Sequence, residues 1–376
     1  MTLTAQQRLD DPPALEAADP SGMLRQVASA AADIRTALRA VTETDLGPVV
    51  SAGRPRAVVA CGMGGSGMAG EVLAAVCGPR CAAQVIALHD YQLPGWVGAA
   101  DLVLAVSSSG AAEETLAVAA EAARRGCPMA AVGDPGSPLA VLAEHARAPF
   151  VPIERAGRLR ASLWGLSVPL LVIAERLGLT EVTVAGFESA AATLERVSHL
   201  CRPDSESFVN PAKSIALDLD GTLPMIWGTS PLAGVAASRF ASQLNEDAKY
   251  PAVPGVLPEA HHNQVVTFDG PFAPWPASGP VNYAEEQPRP PVPLRLVILA
   301  DSQEHPQVAR RREASAALAG QRGIEVTELA AEGDQPLERL ASLVQLTDYA
   351  AVYLGIASGL DPGPVAVIGD LKDRIA

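Results

Sequence analysis

The stretch RAVVACGMGGSG, residues 56–67, decides the fold. Its first half is a short, continuously apolar run closed by glycine, which reads as a strand buried on both faces. Its second half places glycines at 62, 64, 65 and 67. Glycines there permit a tight turn and close backbone approach, and a helix predicted over 68–76 presents its free N–H groups to an anion or polar ligand. Working outward, the same syntax recurs. Short apolar strands are predicted at 84–88, 102–106 and 129–132, with an edge strand at 148–152 and helices at 111–125 and 162–177. Strands alternating with helices argue a parallel sheet covered on both faces.

On the N-terminal side, residues 1–53 read as a helical segment, with Leu24, Val27, Ala31, Ile34, Leu38 and Val41 recurring at three or four residues. On the C-terminal side, a bridging helix is predicted over 187–200. A second unit then follows, with strands at 222–227, 265–268, 294–300 and 324–329 and helices at 232–245, 306–319 and 336–357. The expected fold is α/β: two tandem units, each a parallel sheet flanked by helices in three αβα layers. The expected division is 1–53, 54–188, a linker helix at 189–206, and 207–376. Residues 271–293 hold eight prolines, which predicts an exposed, semi-rigid loop.

Composition narrows the function. Among 376 residues, 48% are apolar and the net charge is −14. Such a surface repels nucleic acid and anionic membranes, and no basic stripe offsets it. The start of the chain lacks a basic region followed by an apolar run, and no uninterrupted apolar stretch reaches membrane-spanning length. The five cysteines, Cys61, Cys77, Cys81, Cys127 and Cys201, have irregular spacing and read as reduced thiols of a cytoplasmic protein. Scattered His and Cys residues lack metal-ligand spacing, so no metal is expected.

Two turns carry the chemistry. The glycine turn does not fit GxGxxG, although Asp90 sits after the next strand where a dinucleotide site wants an acid. A purely structural glycine turn is the other plain reading. The second turn, SSSGAAEET at 107–115, sets three hydroxyls at the end of a buried strand and before an acidic first helical turn. Ordinary helix capping explains part of that pattern. Three successive serines at such an edge also make a neutral, well-directed phosphate cradle.

Taken together, these turns resemble those of the sugar isomerase (SIS) domain, and more narrowly the bifunctional phosphoglucose/phosphomannose isomerase family. Its first loop resembles GMGGSG, here residues 62–67, and its phosphate loop SYSGNTEET is similar to residues 107–115. Its PRA segment is close to Leu159-Arg160-Ala161, its NPAK matches Asn210 to Lys213, and its QLNENAK resembles Gln243 to Lys249. Its HNE is similar to His262-Asn263-Gln264, and the tail from Tyr353 to Lys372 follows the family order. The departures are Ala111 and Ala112 for Asn-Thr, Gln264 for glutamate and Leu159 for proline.

The resemblance implies an aldose–ketose isomerase that interconverts glucose 6-phosphate or mannose 6-phosphate with fructose 6-phosphate through a cis-enediolate. It needs no cofactor, because the reaction is an internal proton shift. Ser107, Ser109 and Thr115 are the expected phosphate contacts, and Gly64, Gly65 and Ser66 the expected sugar contacts. Glu246 is the expected base, His262 the ring-opening group, Arg160 the cation beside the enediolate, and Lys372 a group near the ring oxygen. The family's habit also implies a homodimer, with the His262 segment completing the partner's site. The alternative expectation is a catalytically inactive or altered phosphosugar-binding regulator on the same two domains. Losing a hydroxyl at Ala112 predicts weaker phosphate binding, by about 1.5–3 kcal/mol unless another donor substitutes.

Overall fold

The computed structural model describes residues 3–153, 163–274 and 292–375. Three short helices open the chain: α1 (Ala5–Asp10), α2 (Pro12–Ala18) and α3 (Met23–Ala28). The chain divides into two compact units, one of residues 29–192 and one assembled from residues 1–28 and 193–376.

The unit of residues 29–192 runs α4 (Ala30–Glu43), α5 (Gly47–Val50), β1 (Ala57–Cys61), α6 (Gly65–Cys77), β2 (Gln84–Leu88), β3 (Leu102–Ser107), α7 (Glu113–Arg124), β4 (Met129–Gly133), α8 (Pro138–His145), β5 (Phe150–Pro152) and α9 (Leu163–Arg176). Its five strands are all parallel, in the order β2-β1-β3-β4-β5. Every residue of β1, β3 and β4 is buried, as continuous Ala/Val/Leu runs require. Val59, Val103, Ala105, Met129 and Ala131 form one face of the core with Val118, Ala119 and Ala122 of α7. Helix α9 is buried along almost its whole length despite Pro169 in its interior.

Helix α10 (Val184–Leu200) leads to the other unit: α11 (Pro211–Leu219), β6 (Leu223–Gly228), α12 (Pro231–Asp247), β7 (Val253–Val256), two 3₁₀ turns at Glu259–His262 and Gln264–Asp269, β8 (Leu294–Ala300), α13 (Pro306–Gln321), β9 (Glu325–Ala330), α14 (Pro336–Ala357) and α15 (Ala366–Ile375). Its four strands are parallel in the order β7-β6-β8-β9. Two tandem three-layer αβα domains are therefore present, as the βα alternation predicts. Helix α14 is long and apolar enough to cross a membrane, but it is the buried core helix of this unit, packed on α11 and α12.

One expected strand is corrected. Residues 265–268 form a 3₁₀ turn, because Phe268 is buried while Val266 is 70% exposed, a spacing that a two-sided strand cannot satisfy. The edge position beside β6 belongs instead to Val253–Val256. Its Pro254 and Gly255 disguise it, yet proline is tolerated on an edge strand, where an outward N–H is not needed. The proline-rich 271–293 segment lies largely, at 275–291, outside the described residues, as does 154–162.

Candidate functional site: hydroxyls at a sheet's switch point

In the first sheet the chain leaves β1 toward β2 on one side, and leaves β3 toward β4 on the other. The loops after β1 and β3 therefore diverge and leave a crevice at the strands' C-terminal ends, the place where α/β sheets bind ligands. The glycine turn and the serine turn are those two loops.

Their glycines are held by steric need. A Cβ on Gly62 would lie 2.8 Å from the Val106 carbonyl oxygen, and one on Gly110 would lie 1.9 Å from Ser137 Oγ. Gly64 caps α6 at φ 53°, and Gly110 turns at φ 62°. The tip of the first turn, Met63 to Gly65, is exposed, whereas Gly62, Ser66 and Gly67 are buried.

The serines meet at this crevice. Ser66 Oγ accepts the Ser108 backbone N–H at 3.0 Å and so joins the two turns. Ser107 is 2% exposed, with its hydroxyl 3.5 Å from that of Ser109, and Ser109 Oγ accepts the Ala111 N–H at 3.3 Å. Helix α7 starts just beyond, and its N-cap, Ala112, supplies no side-chain cap. The first-turn amides thus keep their capacity for an anion or water. Glu113 and Glu114 share that turn, and for the nearby Tyr91 phenol partial desolvation, then the charges of Glu114 and Glu113, push its pKa up. Thr115 differs from expectation in aim. It is buried, and its hydroxyl donates toward the Val106 carbonyl at 3.5 Å.

The remaining expected residues lie in the second unit, apart from Arg160, which falls outside the described residues. In QLNEDAK the helical phase separates two pairs. Gln243 and Asp247 turn inward, and Gln243 Nε2 donates to Asp247 Oδ2 at 3.1 Å; Asn245 and Glu246 lie toward solvent, Glu246 half-buried. Lys249, at φ 57°, donates to the carbonyls of Glu246 at 2.8 Å, Pro362 at 3.3 Å and Asp361 at 3.4 Å. That bridge braces the end of α12 against the tail.

His262 is exposed on its 3₁₀ turn. Its neighbour His261 is structural: Nε2 lies 2.6 Å from Ser315 Oγ, and the ring meets Trp227 edge-on at 5.4 Å. Gln264 is also structural. Its Oε1 accepts from Trp227 Nε1 at 2.6 Å and its Nε2 donates to the Pro254 carbonyl at 3.0 Å. A glutamate could not make the second bond. Lys372 stands on α15, which buries no residue. The NPAK motif is a clamp: Asn210 caps α11, and Lys213 Nζ donates to three carbonyls, those of Leu9 at 2.6 Å, Ser205 at 2.7 Å and Pro203 at 2.8 Å.

The second sheet has its own switch point, between β6 and β8, and the chain's own side chains fill it. Asp301 is 4% exposed. Its carboxylate accepts from Ser230 Oγ, the α12 N-cap, and from Arg339 Nε, each at 2.7 Å. This pair, and His89 beneath the glycine turn, escaped the sequence reading because only strand adjacency brings their partners together. Among the described residues, no group of three or more His, Cys, Asp or Glu side chains is arranged to hold a metal.

Comparison with known proteins agrees with this geometry. Residues 208–375 match the family model "Bacterial phospho-glucose isomerase C-terminal SIS domain". The bifunctional phosphoglucose/phosphomannose isomerase of Caldicellulosiruptor bescii is 31% identical over 320 residues, covering 85% of this chain and 89% of that protein. The protein of the same name from Aquifex aeolicus is 28% identical over 325 residues, covering 85% and 90%. A solved hypothetical protein from Thermus thermophilus superposes with a TM-score of 0.66 at 17% identity, over 98% of this chain and 93% of its own, a likeness of fold. Parallel tandem αβα units, a serine-lined switch point and a relative above 30% identity over most of both chains lead to one conclusion: the chain belongs to the SIS-domain phosphosugar isomerase family, which includes the bifunctional phosphoglucose/phosphomannose isomerases.

Proposed function

We propose that the protein is an aldose–ketose isomerase acting on hexose 6-phosphates, interconverting glucose 6-phosphate or mannose 6-phosphate with fructose 6-phosphate. The observation that carries the reading is the crevice between β1 and β3, with the hydroxyls of Ser107 and Ser109 beside a helix start that no side chain caps. A dianionic phosphate there takes hydroxyl and amide donors without a buried positive charge. Gly64, Gly65 and Ser66 then face the sugar's C1–C2 end. Glu246 takes the C2 proton and returns it to C1 through a cis-enediolate, and His262 opens the ring with Lys372 near the ring oxygen. Arg160 stabilises the enediolate charge. The assembly is a homodimer in which the His262 segment completes the partner's site.

Ala112 and the inward-turned Thr115 favour a second reading, a member that binds phosphosugar weakly and does no chemistry. Purified protein incubated with fructose 6-phosphate in deuterated water decides between them. Deuterium entering glucose or mannose 6-phosphate at C2 supports isomerisation. Binding without exchange supports the second reading.

A further inference from the structure

We propose that His89 is a positioning residue for the glycine turn, holding the Gly62 carbonyl so that the sugar-facing amides of Gly64 and Gly65 keep their aim. Its catalytic consequence rests on the isomerase reading. His89 directly follows β2, and its Nδ1 lies 3.0 Å from Gly62 O, while Nε2 lies 3.2 Å from Glu71 Oε1 on α6. A carbonyl only accepts, so Nδ1 carries the hydrogen. The ring thereby ties three pieces together: the residue after β1, the residue after β2, and α6, which the turn begins.

The berth for this ring is made by an absent side chain. A Cβ on Gly67 would fall 2.4 Å from His89 Nδ1. The neighbouring backbone shares the grip, because the Gly62 N–H donates to the Leu88 carbonyl at 3.2 Å. Residues 88 and 89 thus hold both backbone polar groups of Gly62. Beyond these grips the tip leans on the first bonds of α6, in which the Met63 carbonyl accepts the N–H groups of Ser66 at 3.1 Å and Gly67 at 3.3 Å and the Gly64 carbonyl accepts that of Met68 at 3.0 Å. Apart from their chain neighbours and the helix's own backbone, no atom lies within 4 Å of where a Cβ would stand on Gly64 or Gly65. The turn and the helix start it belongs to are tied to the rest of the site at two feet, Gly62 under His89 and Ser66 under the Ser108 N–H. The first foot governs the sugar end, while the phosphate is gripped separately by the serine turn.

The test uses the full chain with His89→Phe and His89→Gln. Phenylalanine fills the space without donating, and glutamine restores a donor. With His89→Phe, kcat falls about 10–100-fold, as expected when reacting groups shift by a fraction of an ångström. KM for the phosphosugar stays within about threefold, since uniform binding is untouched. His89→Gln recovers most of the turnover. Wild-type turnover in His89→Phe, or an equal loss in both variants, overturns the proposal. The nitrogen chemical shifts of the wild-type His89 ring give a second, activity-free reading: a hydrogen on Nδ1 is expected, and a ring protonated on Nε2 alone overturns it. An inactive wild type would remove the isomerase reading and leave this measurement to decide His89 by itself.

Discussion

The Ser66 hydroxyl accepts the Ser108 N–H at 3.0 Å, and this one bond makes two separate turns into a single surface. Ser66→Ala removes the acceptor and keeps a good helix former in the first turn of α6. We expect a stability loss of about 1 kcal/mol, the net worth of one such bond. Phosphosugar binding weakens as well, because the serine turn loses its brace. Unfolding in urea and calorimetric titration check the two effects; unchanged binding would show that the turns act independently.

Ala112 is the uncapped start of α7. Ala112→Thr returns the hydroxyl present in the family's phosphate loop. Binding of a hexose 6-phosphate should tighten by up to about 1.5–3 kcal/mol, the range for a bond to a charged group. Equal affinities in the two proteins would place this residue outside the phosphate's reach.

Glu246→Gln keeps size and most hydrogen bonding but removes basicity. Turnover should fall roughly 10²–10⁴-fold, the usual range for acid–base catalysis. Ligand affinity should change little, because the proposed phosphate site is the serine turn and not Glu246. Near-normal turnover would defeat the assignment of the base.

Asp101 is fully buried at the start of β3, where it accepts from Arg56 Nε at 2.9 Å, Arg56 Nη2 at 2.6 Å and the Gly98 N–H at 2.9 Å. The side-chain bond from Arg56 holds its pKa below the ordinary carboxylate value. A depressed pKa means that the folded state binds this proton less readily than the unfolded state. The contribution is therefore complete above the ordinary carboxylate pKa and is lost as pH falls through the lowered one. The Arg56 side chain is 60% exposed, so salt screens part of the effect. Asp101→Asn should lower stability at neutral pH and flatten the acid limb of the stability profile. A parallel profile would refute the coupling.

In the second sheet, Asp301→Ala strands the buried Arg339 guanidinium. Breaking a buried pair by removing one partner costs about 3–5 kcal/mol. Replacing both, as Asp301→Leu with Arg339→Met, should be milder than the single change. Denaturant midpoints of the two proteins check this, and a double variant less stable than Asp301→Ala would contradict it.

Much of the fold was legible because its strands are continuous apolar runs. Strand β8 and helix α14 occupy the ranges predicted for them, 294–300 and 336–357. Hidden elements had disguises: β7 carries proline and glycine, and α8 begins at Ser137-Pro138 within a run of turn-forming residues. At the site, the glycine and serine turns declared themselves by composition. The Ser66–Ser108 joint, the His89 berth and the Asp301–Arg339 pair did not, since each depends on which strand lies beside which. The turn of the Thr115 hydroxyl toward the Val106 carbonyl was invisible as well, since side-chain rotation is not written in residue type.

The ammonium of Lys213 has a consequence for how the chain comes into being. One of its three acceptors is Leu9, and Asp10 beside it takes both the N–H and the hydroxyl of Ser207, each at 2.7 Å. Arg8 reaches the carbonyl of Ala357. Residues 1–28 thus belong to the unit whose remainder is made after residues 29–192, which emerge as one uninterrupted block. That block is made before residues 193–376 and can close first, since domains fold as units during synthesis. The opening helices must wait for their counterpart, and a fragment begun at the second unit's linear boundary would leave Lys213 with one acceptor fewer.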